Sequence, residues 1–141
     1  ITLKLTNMKK INNKLILIKE EFNLLKGYIK SLMNTSSAER KNAEQLAKEF
    51  KNVPILVNKV DFPEDGICIN SNVTIEDKST GRQFQFKIVL PGQANLSLGK
   101  VSIFAPMGTA VIGYRKGESI SWQMPARKKN FKIVEVINAE I

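Results

Sequence analysis

From Ile18 onward the apolar residues Phe22, Leu25, Ile29 and Leu32 recur every four or three positions. That spacing lines one face of an α-helix in coiled-coil fashion. It predicts a first helix from Ile18 to Met33, about 24 Å long at 1.5 Å per residue. Asn34, Thr35, Ser36 and Ser37 then interrupt the pattern with residues that favour turns and helix N-caps, and Glu39 follows where a carboxylate suits a new N-terminus. Beyond it Ala43, Leu46, Ala47 and Phe50 share one face, while Glu39, Arg40, Lys41, Glu44 and Lys48 cover the rest. Two amphipathic helices joined by a short turn predict an antiparallel helical hairpin, a short coiled coil, closed by Pro54. Such a hairpin either packs on a core or projects as an arm.

Past Pro63 the period changes from that of a helix to two, and the chain becomes rich in Val, Ile, Phe and Thr. This predicts strands near 67–77, 83–90, 100–104, 119–124 and 131–137. Lys78-Ser79-Thr80-Gly81 reads as a hairpin turn, Pro91-Gly92 opens a loop, and residues 126–130 turn the last hairpin, so antiparallel pairing is expected. Gly108 and Gly113 bracket one apolar helical turn, which predicts a short helix over 109–114. The longest apolar run, Leu15 to Ile18, suits either a strand or a helix start. The expected fold class is α+β: a helical hairpin over 8–58, a linker over 51–62, and an antiparallel sheet domain with a short helix over 63–141.

Composition narrows the chemistry. With 141 residues, 43% of them hydrophobic and 25% charged, the chain has ordinary globular values. No apolar run approaches the roughly 20 residues needed to span a bilayer, and the beginning lacks an apolar stretch followed by a small-residue cleavage site. We therefore expect no membrane association and a cytoplasmic location. Met8-Lys9-Lys10 has the look of a translational start, so residues 1–7 carry no weight in this reading.

The chain contains no His and one Cys, Cys68. That excludes an imidazole base, a Ser/His or Cys/His nucleophile pair, an ordinary zinc set and an intramolecular disulfide. No catalytic residue, metal ligand or cofactor is assigned, and Cys68, between Ile67 and Ile69, reads as a small core residue. The net charge of +9 points to phosphate backbones or acidic protein surfaces as partners. Its local groups are Lys9-Lys10 and Arg127-Lys128-Lys129.

One stretch is more specific. Ile103-Phe104-Ala105-Pro106-Met107-Gly108-Thr109-Ala110-Val111-Ile112-Gly113 resembles a segment of the C-terminal domain of the bacterial transcript-cleavage factors GreA and GreB and of their relative Rnk. That segment is a strand, then Pro, an aliphatic, Gly, any residue, Ala, two mostly aliphatic positions and Gly. Lys116-Gly117-Glu118 and the following strand continue the match, and Ser121-Trp122-Gln123-Met124-Pro125 is similar to the Rnk side. Asn70 to Ile75 resembles the family's first strand and Phe131 to Val136 its last, so the similarity spans about 62–137. Asn42-Ala43-Glu44 extends it weakly into the hairpin.

The resemblance implies an FKBP-like domain preceded by a helical hairpin, and a protein that binds RNA polymerase at the rim of the secondary channel. It makes Pro106, Met107, Gly108 and Thr109 the partner-binding candidates, although the Pro and Gly alternatively just shape a turn. It makes Ser37, Glu39 and Lys41 the arm tip. Cleavage factors present acidic tip residues that help hold a magnesium ion at the polymerase active site. Aligned on Asn42-Ala43-Glu44, those two acids fall on Ala38 and Lys41, neither of them acidic, and Glu39 is flanked by Arg40 and Lys41. The helices are also shorter than in full cleavage factors. The expectation is a Rnk-like regulator, not an enzyme, that occupies the channel entrance without stimulating cleavage and meets nucleic acid at most indirectly. Two rivals stand beside it. One is a basic nucleic-acid-binding module, suggested by the charge and by Arg127-Lys128-Lys129 near Phe131. The other is a prolyl isomerase, suggested by the implied fold alone.

Overall fold

The computed structural model describes residues 15–35, 39–51, 54–123 and 128–138, the side chains of residues 122 and 123 excepted. Strand β1 (Ile16–Ile18) leads directly into helix α1 (Lys19–Met33), and helix α2 (Arg40–Lys51) is the next element. Strand β2 (Ile55–Val57) follows, then β3 (Asn72–Asp77), β4 (Gln83–Val89), β5 (Lys100–Ser102), a short helix α3 (Pro106–Val111), β6 (Ser119–Gln123) and β7 (Lys128–Ile137). The α+β class expected from the pattern is the one observed.

The helical hairpin forms where its periodicity put it. Glu20 and Glu21 occupy the first turn of α1 and Lys30 its last, each at the end of the helix dipole that favours its charge. Phe22, Leu25 and Ile29 of α1 meet Ala43, Leu46 and Phe50 of α2, and the Phe22 and Phe50 rings pack at 4.9 Å. At the turn the Thr35 amide and hydroxyl both donate to Leu32 O, and Arg40 Nη1 reaches back to Thr35 O at 3.3 Å.

Leu15 to Ile18 resolves as strand and helix start at once. Ile16–Ile18 pairs in parallel with Ile55–Val57, a strand inside the segment that reads as linker, and α1 begins at the next residue. The two ends of the hairpin are thus stitched together at its base. Strand β2 was invisible because three residues after a Pro are too few to show a period.

The main sheet has the order β5-β4-β3-β7-β6. Antiparallel pairing holds for β4–β3, β3–β7 and β7–β6, but β4 and β5 run parallel, with Lys87 opposite Lys100. The sheet is therefore mixed. The loop after Leu90 makes two 3-10 turns and reverses at Gly99 (φ +72°), which returns the chain alongside β4 in the same direction.

Other boundaries also differ from expectation. Residues 66–71 form an irregular entry to β3, with Asn70 at φ +76°, a left-handed conformation that its short polar side chain tolerates. The strand expected from 131 begins at Lys128, so residues 128–130 extend the last hairpin and do not turn it. The short helix runs from Pro106 to Val111 and not over 109–114, because Pro at the first helical position presets φ and needs no N–H partner.

A register shift between Thr74 and Ile75 leaves Val134 as an extra residue in β7. Before it Ile133 lies opposite Ile75, and after it Val136 lies opposite Val73. Strict alternation would put Ile133 and Val136 on opposite faces; the bulge turns both inward and bends the sheet. The resulting core is a single cluster. It joins Val73, Ile75, Phe86, Ile88, Phe131 and Ile133 of the sheet to Leu25 and Leu46 of the hairpin, through Phe104 and Ile112. Of the two behaviours open to the hairpin, the structure adopts packing on the core. A supercoiled arm standing free of the sheet is not what the helices form.

Candidate functional site

The stretch that carries the sequence resemblance is the seam between hairpin and sheet. After β5 the Ser102 hydroxyl accepts from the Phe104 amide at 3.0 Å, and Ala105 N donates to Ser102 O. This tight turn aims the Phe104 ring inward, where it is fully buried and packs 6.2 Å from the Tyr28 ring of α1. On the other helix Asn42 Nδ2 donates to Phe104 O at 2.9 Å. Asn42 is the third residue of α2, about 3 Å along the axis from its start. The hairpin is therefore held to the sheet domain almost to its turn, and not only at the base.

The four loop candidates differ in what they do. Pro106 is exposed, and Met107 is half-buried against the core. Gly108 and Thr109 are buried. Thr109 Oγ1 donates to Ile103 O at 2.9 Å, and a methyl group at Gly108 would overlap the Ser102 carbonyl oxygen and lie 3.0 Å from Ile103 Cα. Backbone atoms cannot yield as a flexible side chain can, so only glycine lets α3 lie this close to the strand before it. A partner meeting this loop would touch Pro106 and the open edge of Met107.

At the hairpin turn Ser37 lies outside the described residues, as does Ala38. Glu39 is half-buried and immediately precedes α2, its carbonyl accepting from Ala43 N. Lys41 is exposed, and Arg40 pairs with Glu44 at 3.4 Å along the helix. Among the described residues no group of His, Cys, Asp and Glu side chains is arranged to hold a metal ion. Also among them, no helix is long and apolar enough to cross a membrane.

The base of the hairpin has its own polar join. Glu21 of α1 accepts from the Ile69 amide at 3.0 Å, and burial pushes its carboxyl above the usual carboxylate range. Nearby, burial pushes the Cys68 thiol up to about 11, with Ser71 Oγ and Asn138 Oδ1 each 3.5 Å from its sulfur. Asn138 also bonds the Ser71 hydroxyl and donates to Glu64 O and Gly66 O, fastening the end of β7 to the entry of β3. Of the aromatics in the sheet half, Phe86, Phe104 and Phe131 are buried in the core, and Phe84 is partly exposed.

Sequence reasoning singled out Pro106 to Thr109 but missed Phe104, Tyr28 and Asn42 as the residues joining hairpin to sheet. The only available signal was Asn42, an amide among charged residues on an otherwise amphipathic helix, and its partner is a backbone carbonyl that no side-chain pattern reveals.

Comparison with known proteins places this architecture. Residues 63–138 match the family described as transcription elongation factor, GreA/GreB, C-terminal. A transcription elongation factor GreA from Syntrophus aciditrophicus is 33% identical over 92 residues, covering 63% of this chain and 57% of the relative. The transcription inhibitor protein Gfh1 of Thermus aquaticus is 35% identical over 72 residues, covering 50% of this chain and 46% of that protein. The chain thus spans about half the length of the curated relatives it matches. Among solved structures, a prokaryotic transcription elongation factor GreA/GreB from Nitrosomonas europaea superposes with a TM-score of 0.69 at 26% identity, over 88% of this chain and 98% of that one.

Proposed function

Because this chain belongs to the GreA/GreB family of transcription elongation factors, we propose that it acts on RNA polymerase, docking at the rim of the secondary channel without stimulating transcript cleavage. The sheet domain is the docking body, and Pro106 with the edge of Met107 forms its contact loop. Gly108 and Thr109 serve that loop from beneath by holding α3 against the strand before it. The hairpin fills the channel entrance.

The observation that carries this reading is the bond from Asn42 to Phe104 O at 2.9 Å, which holds the hairpin against the sheet domain close to its tip. A hairpin clasped there has about 22 Å of α1 and little free reach with which to carry a ligand to a distant active site. Its exposed tip lysine, Lys41, would also repel the divalent cation that a cleavage factor must help hold. Similarity to a relative named as a transcription inhibitor supports an outcome in which occupancy blocks rather than cleaves. The Rnk-like sequence stretch 121–125 belongs to the same proposal: a regulator that competes for the entrance, has no catalytic residues of its own and acts in the cytoplasm.

The test is retention of the purified chain on immobilised core RNA polymerase, followed by challenge with a GreA-type factor and by a cleavage assay on stalled complexes. Retention, displacement by the challenger and no added cleavage are expected. Absence of retention, or brisk cleavage, would refute the proposal.

A further inference from the structure

A groove of about 390 Å³ crosses the outer face of the sheet toward β5, and its walls include Asn72, Gln85, Lys87, Leu98, Lys100 and Ile137. Strand register sets four of these in one row. Ile137 of β7 lies opposite Asn72 of β3, Asn72 opposite Lys87 of β4, and Lys87 opposite Lys100 of β5. Their chain neighbours Val73, Phe86 and Val136 are buried, so alternation turns this row away from the core. Three interstrand spacings make the row about 14 Å long, the reach of about four residues of extended chain.

The charged residues of the groove are Lys87 and Lys100, both half-buried. Their strands lie about 4.8 Å apart, and neither lysine makes an ion pair among the described residues. The carboxylates that alternation puts on this face are engaged elsewhere: Glu135 pairs with Lys116 Nζ at 3.0 Å, and Glu76 accepts from Gln83 Nε2 at 3.1 Å. Like charges directly opposite each other destabilise strand pairing. The fold bears that cost here without a compensating anion of its own.

The apolar walls stand open as well, with Leu98 67% and Ile137 56% exposed. Lys87 N donates to Gly99 O at 2.8 Å, which sets Leu98 beside the lysine pair, while Ile137 closes the other end of the row. Phe86, the aromatic residue along the groove, belongs to the core. We propose that this groove docks an acidic, aliphatic segment of a protein partner, two carboxylates meeting Lys87 and Lys100 and aliphatic side chains covering Leu98 and Ile137. Phosphates of a nucleic acid would satisfy the lysines, but its bases would find no open ring to stack on and the aliphatic walls would gain nothing.

The test is an NMR titration of the isotope-labelled full chain with a synthetic eight-residue peptide that carries two glutamates flanked by leucines. Polymerase is absent, so the outcome is separate from that of the channel-docking proposal. Amide shifts are expected to cluster at residues 72–74, 85–87, 98–101 and 137. Glutamine in place of the peptide's glutamates should weaken binding at least about 10-fold, and serine in place of its leucines at least about 3-fold. The reversal Lys87→Glu/Lys100→Glu keeps like charges opposite each other while inverting the sign of the groove, and should also cost at least about 10-fold. Lys19→Glu/Lys30→Glu, an equal change of net charge at exposed positions on α1, should cost less than about 2-fold. Lys100→Glu alone sets a glutamate opposite Lys87; it should raise Tm by about 1–3 °C while abolishing binding, a gain that no loss of folding can imitate. Shifts centred elsewhere, no shift at about 1 mM peptide, equal weakening by the α1 reversal, a lowered Tm for Lys100→Glu, or equally tight binding of oligo-dT would each overturn the proposal.

Discussion

Replacing Asn42 by Ala removes the amide that ties the tip half of the hairpin to Phe104 O. The bond is partly buried, so the orphaned carbonyl costs about 2 kcal/mol, near the middle of the range for such groups. Against this, alanine is the better helix former by about 0.6 kcal/mol. The net loss is about 1–1.5 kcal/mol, and for a chain of this size that lowers Tm by about 3–5 °C. Asn42→Asp forgoes the helix gain and sets a carboxylate against the carbonyl, so it should lower Tm further. Thermal unfolding followed by circular dichroism gives the ordering, and amide hydrogen exchange gives the location. Protection should fall several-fold in the first turns of α2, while the amides around Leu46 and Phe50 keep theirs, since they sit in the shared core. A Tm shift under about 1 °C for both variants, with unchanged exchange in α2, would show that the clasp contributes nothing and that the reach argument fails with it.

Four further outcomes follow from the same contacts. Gly108→Ala should destabilise the fold by about 3 kcal/mol or more, the upper end for overpacking because the obstruction is backbone, whereas Pro106→Ala should leave Tm nearly unchanged and weaken only polymerase retention. Lys41→Asp should not confer cleavage on stalled complexes; robust activity from this single change would refute the claim that a clasped hairpin cannot reach. Asp77 has a depressed carboxyl, so its contribution to stability is present above about pH 4 and is lost as the pH falls below that; Asp77→Asn should destabilise at neutral pH and converge on the parent in acid melts. With its thiol pushed up to about 11 and its side chain buried, Cys68 should resist alkylation at pH 8 in the folded protein and react readily in denaturant.

The periodicities of Phe22 to Leu32 and of Ala43 to Phe50 determined the hairpin, and the change of period past Pro63 determined the sheet, because an element that buries one face writes that face locally. The Pro106-to-Gly113 pattern likewise identified the turn into α3, since close backbone approach at Gly108 admits only one residue type. What tertiary structure alone decided are the long-range relations. The parallel placement of β5, the bulge at Val134 that turns Val136 inward, and the closure of β1 on β2 depend on which backbone groups find each other. The docking of the hairpin through Asn42 onto a carbonyl 62 positions away belongs with them. Backbone donors and acceptors are the same at every residue, so side-chain patterns carry no record of their partners.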